Sequence, residues 1–261
     1  MPTLSFIGTG SGHPSADRFF SSTVLHFGDL HFLVDVGEPC VHLLRDRGNL
    51  LMEISSVLVT HGHVDHIGGL PALLQGCMLL GRTGLLRICL PVEMIEPVRA
   101  WTSALYLTEE GLGFPLEWVA WTSGESVSLG GEVTVTPHSN SHLETCYRQL
   151  PGSDASRPCH SYSLEVVAGK FRAVFSGDLS SASELKSLME KPTTVLVSEL
   201  SHFTADQLAE VLAGVPLQAL CLVHLSEENY LNRSGLQMHL EDLLEQVGDV
   251  FLPEDGNVLD F

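Results

Sequence analysis

The sequence predicts a mixed α/β fold in which two β-sheets face each other with helices outside, a four-layer αββα arrangement. Three observations lead there. Short β-branched and apolar runs, bounded by glycine or polar turns, occupy both the early and the late parts of the chain. Helical patterns interrupt them without strict βαβ alternation. The 261 residues, 44% of them hydrophobic, suffice for one large layered domain over 1–261, with no linker or solenoid repeat to divide it.

The elements follow in order. Strands are expected at 3–7, 23–27, 31–36 and 56–60, then helices at 69–80 and 91–106, the latter with Pro91 in its first turn. Further strands are expected at 133–136, 161–167, 171–175, 194–197 and 219–223. Helices at 183–190, 205–213 and 234–247 alternate with the last of them. The aromatic residues Trp101, Tyr106, Phe114, Trp118 and Trp121 read as core filling, with a substrate wall or dimer surface as the alternatives.

Charge and cysteine usage narrow the class. With 13 basic and 32 acidic residues the formal net charge is -19, which opposes non-specific binding to phosphate backbones, so polymeric nucleic acid is a poor candidate substrate. The six cysteines, at 40, 77, 89, 146, 159 and 221, lie mostly in apolar runs and show no C-x-x-C pair. They read as reduced thiols, Cys146 and Cys159 being the one pair that could bridge across a loop. Neither a secretory signal nor a membrane-length apolar run is visible, and the expected location is the cytoplasm.

Chemistry concentrates in Thr60-His61-Gly62-His63-Val64-Asp65-His66-Ile67-Gly68-Gly69, directly after the apolar run Val57-Leu58-Val59. Alternate residues of an extended stretch point the same way, so His61 and His63 can share one ion while Asp65 and His66 serve a neighbouring position. Imidazole and carboxylate at this density call for a compensating cation. Without thiolate they suit zinc, manganese or iron. The isolated His26, His31 and His239 read instead as surface or satisfied core residues. Gly8-Thr9-Gly10-Ser11-Gly12 lacks the spacing of a phosphate-cradling loop and reads as a turn bringing backbone close to the histidine loop.

More ligands are needed for two ions, and three places at strand ends offer them: His142, Asp178 in Phe175-Ser176-Gly177-Asp178, and His224. His138 competes with His142.

These motifs, with Asp35 in Val34-Asp35-Val36-Gly37, resemble in order the five motifs of the metallo-β-lactamase superfamily over nearly the whole chain. The branch it most resembles is that of ribonuclease Z and related phosphodiesterases, through Phe6-Ile7-Gly8-Thr9-Gly10-Ser11-Gly12-His13-Pro14, Phe-Ser-Gly-Asp and Glu254-Asp255-Gly256. The resemblance implies an αββα sandwich of the metallo-β-lactamase type and two divalent ions, zinc first, with manganese or iron as alternatives. One ion would be held by His61, His63 and His142, the second by Asp65, His66 and His224, with Asp178 bridging. Asp35 would hydrogen-bond within the histidine loop and fix ligand orientation. The His-Leu-x-x-Cys-Tyr stretch favours His142 over His138. Related enzymes often form homodimers, which extends to this chain as an expectation.

Departures from the branch matter as well. Ribonuclease Z enzymes carry a His-Glu-Ala-Thr stretch where this chain has Ser198-Glu199-Leu200-Ser201, so the histidine implicated in proton transfer is replaced by Ser198. His202 is the candidate to replace it as general acid, oriented by Glu199, and Asp65 completes the catalytic candidates. The interval from His142 to Asp178 is too short for the basic arm that grips transfer RNA in many of those enzymes. The expected activity is hydrolysis of a small nucleotide or similar phosphodiester by hydroxide activated between two metals about 3.5–4 Å apart. The alternatives are carbon-centred hydrolysis of a lactone, thioester or β-lactam, and a metal-binding or sensing protein without turnover.

Overall fold

The structure is a computed structural model that describes residues 1–154, 156–244 and 247–261. Its contacts group the chain into two compact units, Met1–Thr122 with Glu254–Asp260, and Ser123–Pro253 with Phe261. The first unit holds β1 (Thr3–Gly8), β2 (Ser22–Phe27), β3 (Leu30–Val34), β4 (Ile54–Leu58), β5 (Leu86–Pro91) and β6 (Leu116–Trp121). The second holds β7 (Val127–Gly130), β8 (Val133–Asn140), β9 (Ser161–Ala168), β10 (Phe171–Phe175), β11 (Thr193–Leu200), β12 (Leu217–Leu225) and β13 (Asp249–Phe251). A last strand, β14 (Val258–Asp260), returns to the first unit.

Among the described residues the two sheets share one plan. The first runs β14-β1-β2-β3-β4-β5-β6 and the second β13-β12-β11-β10-β9-β8-β7. In each, a meander of antiparallel strands (β14 to β3, β7 to β10) continues into parallel strands (β3 to β6, β10 to β13). Parallel pairing requires crossovers, and the intervening segments supply them as helices. In the first unit Ile7, Val24, Leu33, Val57 and Ile88 form one core with Leu44 of helix Cys40–Asp46 and Leu70, Leu73 and Leu74 of helix Leu70–Leu79. In the second, Val174, Leu196 and Leu220 pack with Leu208 and Leu212 of helix Ala205–Leu212 and with Leu236 and Leu240 of helix Arg233–Leu243. The opposite faces are buried too, with Leu4, Phe6, Leu25 and Phe32 in one sheet and Leu164, Val166 and Val195 in the other. Burial on both faces explains why the strands read as continuous apolar runs.

Several expected elements change. Pro91 does not start a helix: it ends β5, paired with Trp121 of β6, and the helix is Ile95–Ala104, with Pro97 in its first turn where no intrahelical N–H is required. The helix expected at 183–190 is a short 3₁₀ turn, Ala182–Leu185, opened by a capping box between Ser181 and Glu184. The helix expected at 234–247 is observed as Arg233–Leu243, and residues 245 and 246 of that expectation lie outside the described residues. The strand expected at 31–36 stops at Val34, because Asp35 takes a left-handed φ of 57°. Phe114 and Trp121 are buried, whereas Trp101 and Tyr106 are exposed, so core filling accounts for only part of the aromatic cluster. All six cysteines are free thiols, four of them buried. Among the described residues no helix is long and apolar enough to cross a membrane.

Candidate metal centre

Each unit presents a set of candidate metal donors at or just past the carboxyl ends of strands, where α/β sheets place their ligands. In the first unit the chain leaves β4, passes through Thr60 and the histidine loop, and enters the one-turn helix Val64–Ile67. His61, Asp65 and His66 are buried, and His63 is partly so. His61 Nε2 and His63 Nδ1 lie 3.0 Å apart, and Asp65 Oδ2 lies 3.4 Å from His66 Nε2. Two nitrogens on one tetrahedral ion, with bonds of about 2.0–2.1 Å, stand roughly 3.3 Å apart, so the two rings need to part only slightly to share a cation.

Backing these donors is a layer of anchored groups. Asp35, just past β3, accepts from His66 Nδ1 at 2.7 Å, from Thr60 N at 2.8 Å and from the Thr60 hydroxyl at 3.0 Å. On the other side of Asp65 comes the glycine turn after β1. A Cβ on Gly12 would sit 3.1 Å from Asp65 Oδ2, so only glycine lets the backbone come this near without displacing the carboxylate. Gly8 is tighter still, since its Cβ would fall 1.9 Å from the carbonyl oxygen of Phe20. Asp255 fixes the turn by accepting from Thr9 N and Thr9 Oγ1, each at 2.7 Å, and from Phe19 N at 2.6 Å.

In the second unit the donors come from three strand ends. His142 opens helix His142–Arg148 after β8, and its backbone N–H donates to Asn140 Oδ1 at 3.2 Å. Asp178 follows β10, and His224 is the penultimate residue of β12, with a left-handed φ of 49° opposite an irregularity in the β11–β12 pairing between Glu199 and Leu200. Strain of this kind persists where surrounding bonds fix it, and it aims the imidazole. His142 Nε2 and His224 Nε2 lie 3.6 and 3.5 Å from the same oxygen, Asp178 Oδ2. Both distances exceed a hydrogen bond and suit donors arranged around a cation. The Nδ1 atoms face other groups, Ser201 Oγ at 2.9 Å for His224 and Cys146 Sγ at 3.8 Å for His142. Burial, then the charges of Asp178 and Glu199, push the Cys146 thiol up, which disfavours it as a thiolate donor. His138 is placed elsewhere, its Nε2 3.0 Å from Glu165 Oε2.

His202 is about one-third exposed, and its Nδ1 lies 2.8 and 2.9 Å from the two oxygens of buried Glu199. Glu199 also accepts from Leu179 N at 2.7 Å and from Ser201 N at 2.9 Å, so it ties the Asp178 loop to the end of β11. The donor atoms of Asp178, His202 and His224 lie within 4.8 Å of one another. Ser198 is fully buried with its hydroxyl on the carbonyl of Glu199, so it has no access to a substrate. Four supporting residues escaped the sequence reading: Thr60, Ser201, Glu184 and Asp255. Glu184 accepts from Ser141 N at 2.7 Å and Ser180 N at 2.8 Å, joining the entry to His142 with the Asp178 loop. The usable signal was a hydroxyl or carboxylate beside a ligand-bearing strand end.

Comparison with known proteins agrees with this arrangement. A sequence profile of the Beta-lactamase superfamily domain matches residues 33–225. Ribonuclease Z of Limosilactobacillus reuteri (strain DSM 20016) is 35% identical over 179 residues, covering 67% of this chain and 56% of that protein. The match thus spans little more than half the length of that relative. Among solved structures, the metallo-beta-lactamase fold protein YhfI from Bacillus subtilis superposes with a TM-score of 0.76 at 20% identity, covering 99% of this chain and 98% of that one. A diphosphatase from the PhnP family superposes with a TM-score of 0.68 at 15% identity, covering 100% and 98%. The chain belongs to the metallo-β-lactamase superfamily and has its fold, the αββα class expected from the sequence. Within the superfamily its similarity to ribonuclease Z places it in the ribonuclease Z-like branch.

Proposed function

We propose that this chain is a metal-dependent hydrolase with a dinuclear centre, acting on a compact phosphodiester. His61, His63, Asp65 and His66 of the first unit and His142, Asp178 and His224 of the second would supply the ligands for the divalent ions. Zinc is the first choice and manganese or iron the next, given a set of nitrogen and oxygen donors. The observation that carries this reading is the approach of two imidazole Nε2 atoms, at 3.6 and 3.5 Å, to one oxygen of buried Asp178. Each oxygen of an ionised carboxylate has more than one lone pair and can serve more than one cation.

When bound, two such ions supply activation of water and neutralisation of charge developing on the substrate oxygens. The protein supplies the proton. His202 keeps its Nδ1–H on Glu199, so the second proton of the imidazolium sits on Nε2 and passes to the leaving oxygen. Glu199 stabilises the charged ring. The net charge of -19 and the connection 149–160, which has no helix or strand among its described residues, support a small substrate over a folded RNA. The PhnP-family diphosphatase supports compact phosphate chemistry on this fold. Six free cysteines support a reducing compartment, the cytoplasm.

The test is metal content together with hydrolysis of bis-p-nitrophenyl phosphate, by the intact chain and by Asp178→Ala. About two ions per chain and turnover abolished by the substitution support the reading. Full metal occupancy without turnover shifts it to a metal-binding protein, the second reading, which the buried Ser198 favours.

A further inference from the structure

Each unit repeats one device behind a histidine: a buried carboxylate, a hydroxyl and an imidazole in line. In the first unit the Thr60 hydroxyl lies 3.0 Å from both oxygens of Asp35 and 3.0 Å from His61 Nδ1. In the second the Ser201 hydroxyl lies 3.0 Å from Glu199 Oε2 and 2.9 Å from His224 Nδ1. A hydroxyl has one hydrogen, and an ionised carboxylate can only accept. With that hydrogen on the carboxylate, where the bond is charge-assisted, the hydroxyl oxygen must accept from the imidazole. The ring proton then stays on Nδ1 and the lone pair is on Nε2, the atom of His61 that lies beside His63 and the atom of His224 that faces Asp178.

We propose that Thr60 and Ser201 are positioning residues that set the tautomers of His61 and His224 before any metal binds, each acting as a relay from a buried carboxylate. Asp35 sets His66 by direct contact at 2.7 Å, so one carboxylate orients two rings of the loop, one directly and one through Thr60. Neutral imidazole in solution divides its proton between two nitrogens, so presetting one form removes a rearrangement from each binding event.

The inference rests on the proposed metal centre, and its first test is independent of it. Long-range proton–nitrogen NMR on the metal-free protein at pH 8 reports which ring nitrogen carries the proton. His61 and His224 are expected to be protonated at Nδ1, and a proton on Nε2 of both rings overturns the proposal. Zinc titration is the second arm. Thr60→Val and Ser201→Ala are expected to weaken zinc binding about 10- to 100-fold and to mix the tautomers of the adjacent ring, while Thr60→Ser and Ser201→Thr restore both. Wild-type zinc affinity and tautomer in Thr60→Val and Ser201→Ala overturn the relay. An intact chain that takes up no zinc defeats the functional reading alone, with the tautomers still deciding this one.

Discussion

Asp35 Oδ2 accepts the Nδ1 proton of His66 at 2.7 Å, and both side chains are buried. Because Asp35 holds a left-handed φ of 57°, a conformation asparagine tolerates, Asp35→Asn separates charge from backbone geometry. The amide turns one acceptor into a donor facing Thr60 and His66. The expected result is a folded protein destabilised by about 1–3 kcal/mol, with zinc affinity lowered about 10- to 100-fold. Chemical denaturation and zinc titration check this, and unchanged zinc affinity would remove Asp35 from the support of the histidine loop.

Asp255 links the end of the chain to the glycine turn through three hydrogen bonds, from Thr9 N, Thr9 Oγ1 and Phe19 N. Its loss frees a turn whose Gly12 abuts Asp65. Asp255→Ala is expected to cost about 2–3 kcal/mol at roughly 1 kcal/mol per bond. Gly12→Ala should leave global stability nearly unchanged but push Asp65 aside, lowering the affinity for the second ion several-fold. Stepwise metal titration of both variants resolves the two effects, and equal affinity for both ions in Gly12→Ala would contradict the role given to this contact.

The strand-rich halves and the donor positions were legible because their signals are dense: apolar runs between glycine turns, and three imidazoles with a carboxylate in six positions. The edges were not. β13 and β14 are three residues each, too short to show a period, and β5 merges into an apolar stretch whose proline looks like a helix start. Ser201 carries no local pattern, and Glu184 shows only the Ser-x-x-Glu pattern of a helix cap with Ser181. They act across the fold, joining strand ends far apart in sequence, so only the tertiary structure reveals what they hold.

His202 and Glu199 make a separable pair. If His202 supplies the proton to the leaving oxygen, His202→Asn should lower kcat about 10²- to 10⁴-fold with metal content unchanged. The basic limb of the pH–rate profile should disappear with it. A substrate with a good leaving group needs little protonation and should recover much of the loss, so the comparison of p-nitrophenyl and alkyl esters is the informative one. Equal losses on both would exclude a general-acid role. Glu199→Gln should reduce activity and also loosen Ser201 and the Asp178 loop, because its carboxylate holds Leu179 N and Ser201 N.

Stability should fall in mild acid through His26. This half-buried ring on β2 bonds Ser5 Oγ through Nε2 at 2.8 Å and faces His31 Nδ1 across the β2–β3 pair at 2.8 Å, while His31 in turn lies 3.6 Å from Glu53. Burial first, and the adjacent His31 second, push its pKa down from 6.5 to about 4. In the unfolded chain the ring gains its proton near pH 6.5, whereas in the folded protein it resists until about 4, so protons favour unfolding across that interval. Stability from this group is complete above pH 6.5 and is lost progressively as the pH falls toward 4, by about 1–2 kcal/mol once screening of a half-exposed site is counted. Urea denaturation at pH 7.5, 6 and 4.5 measures the slope. His26→Gln, which cannot take up a proton and can still meet Ser5, should flatten it, and an equal slope in that variant would assign the acid sensitivity to other groups.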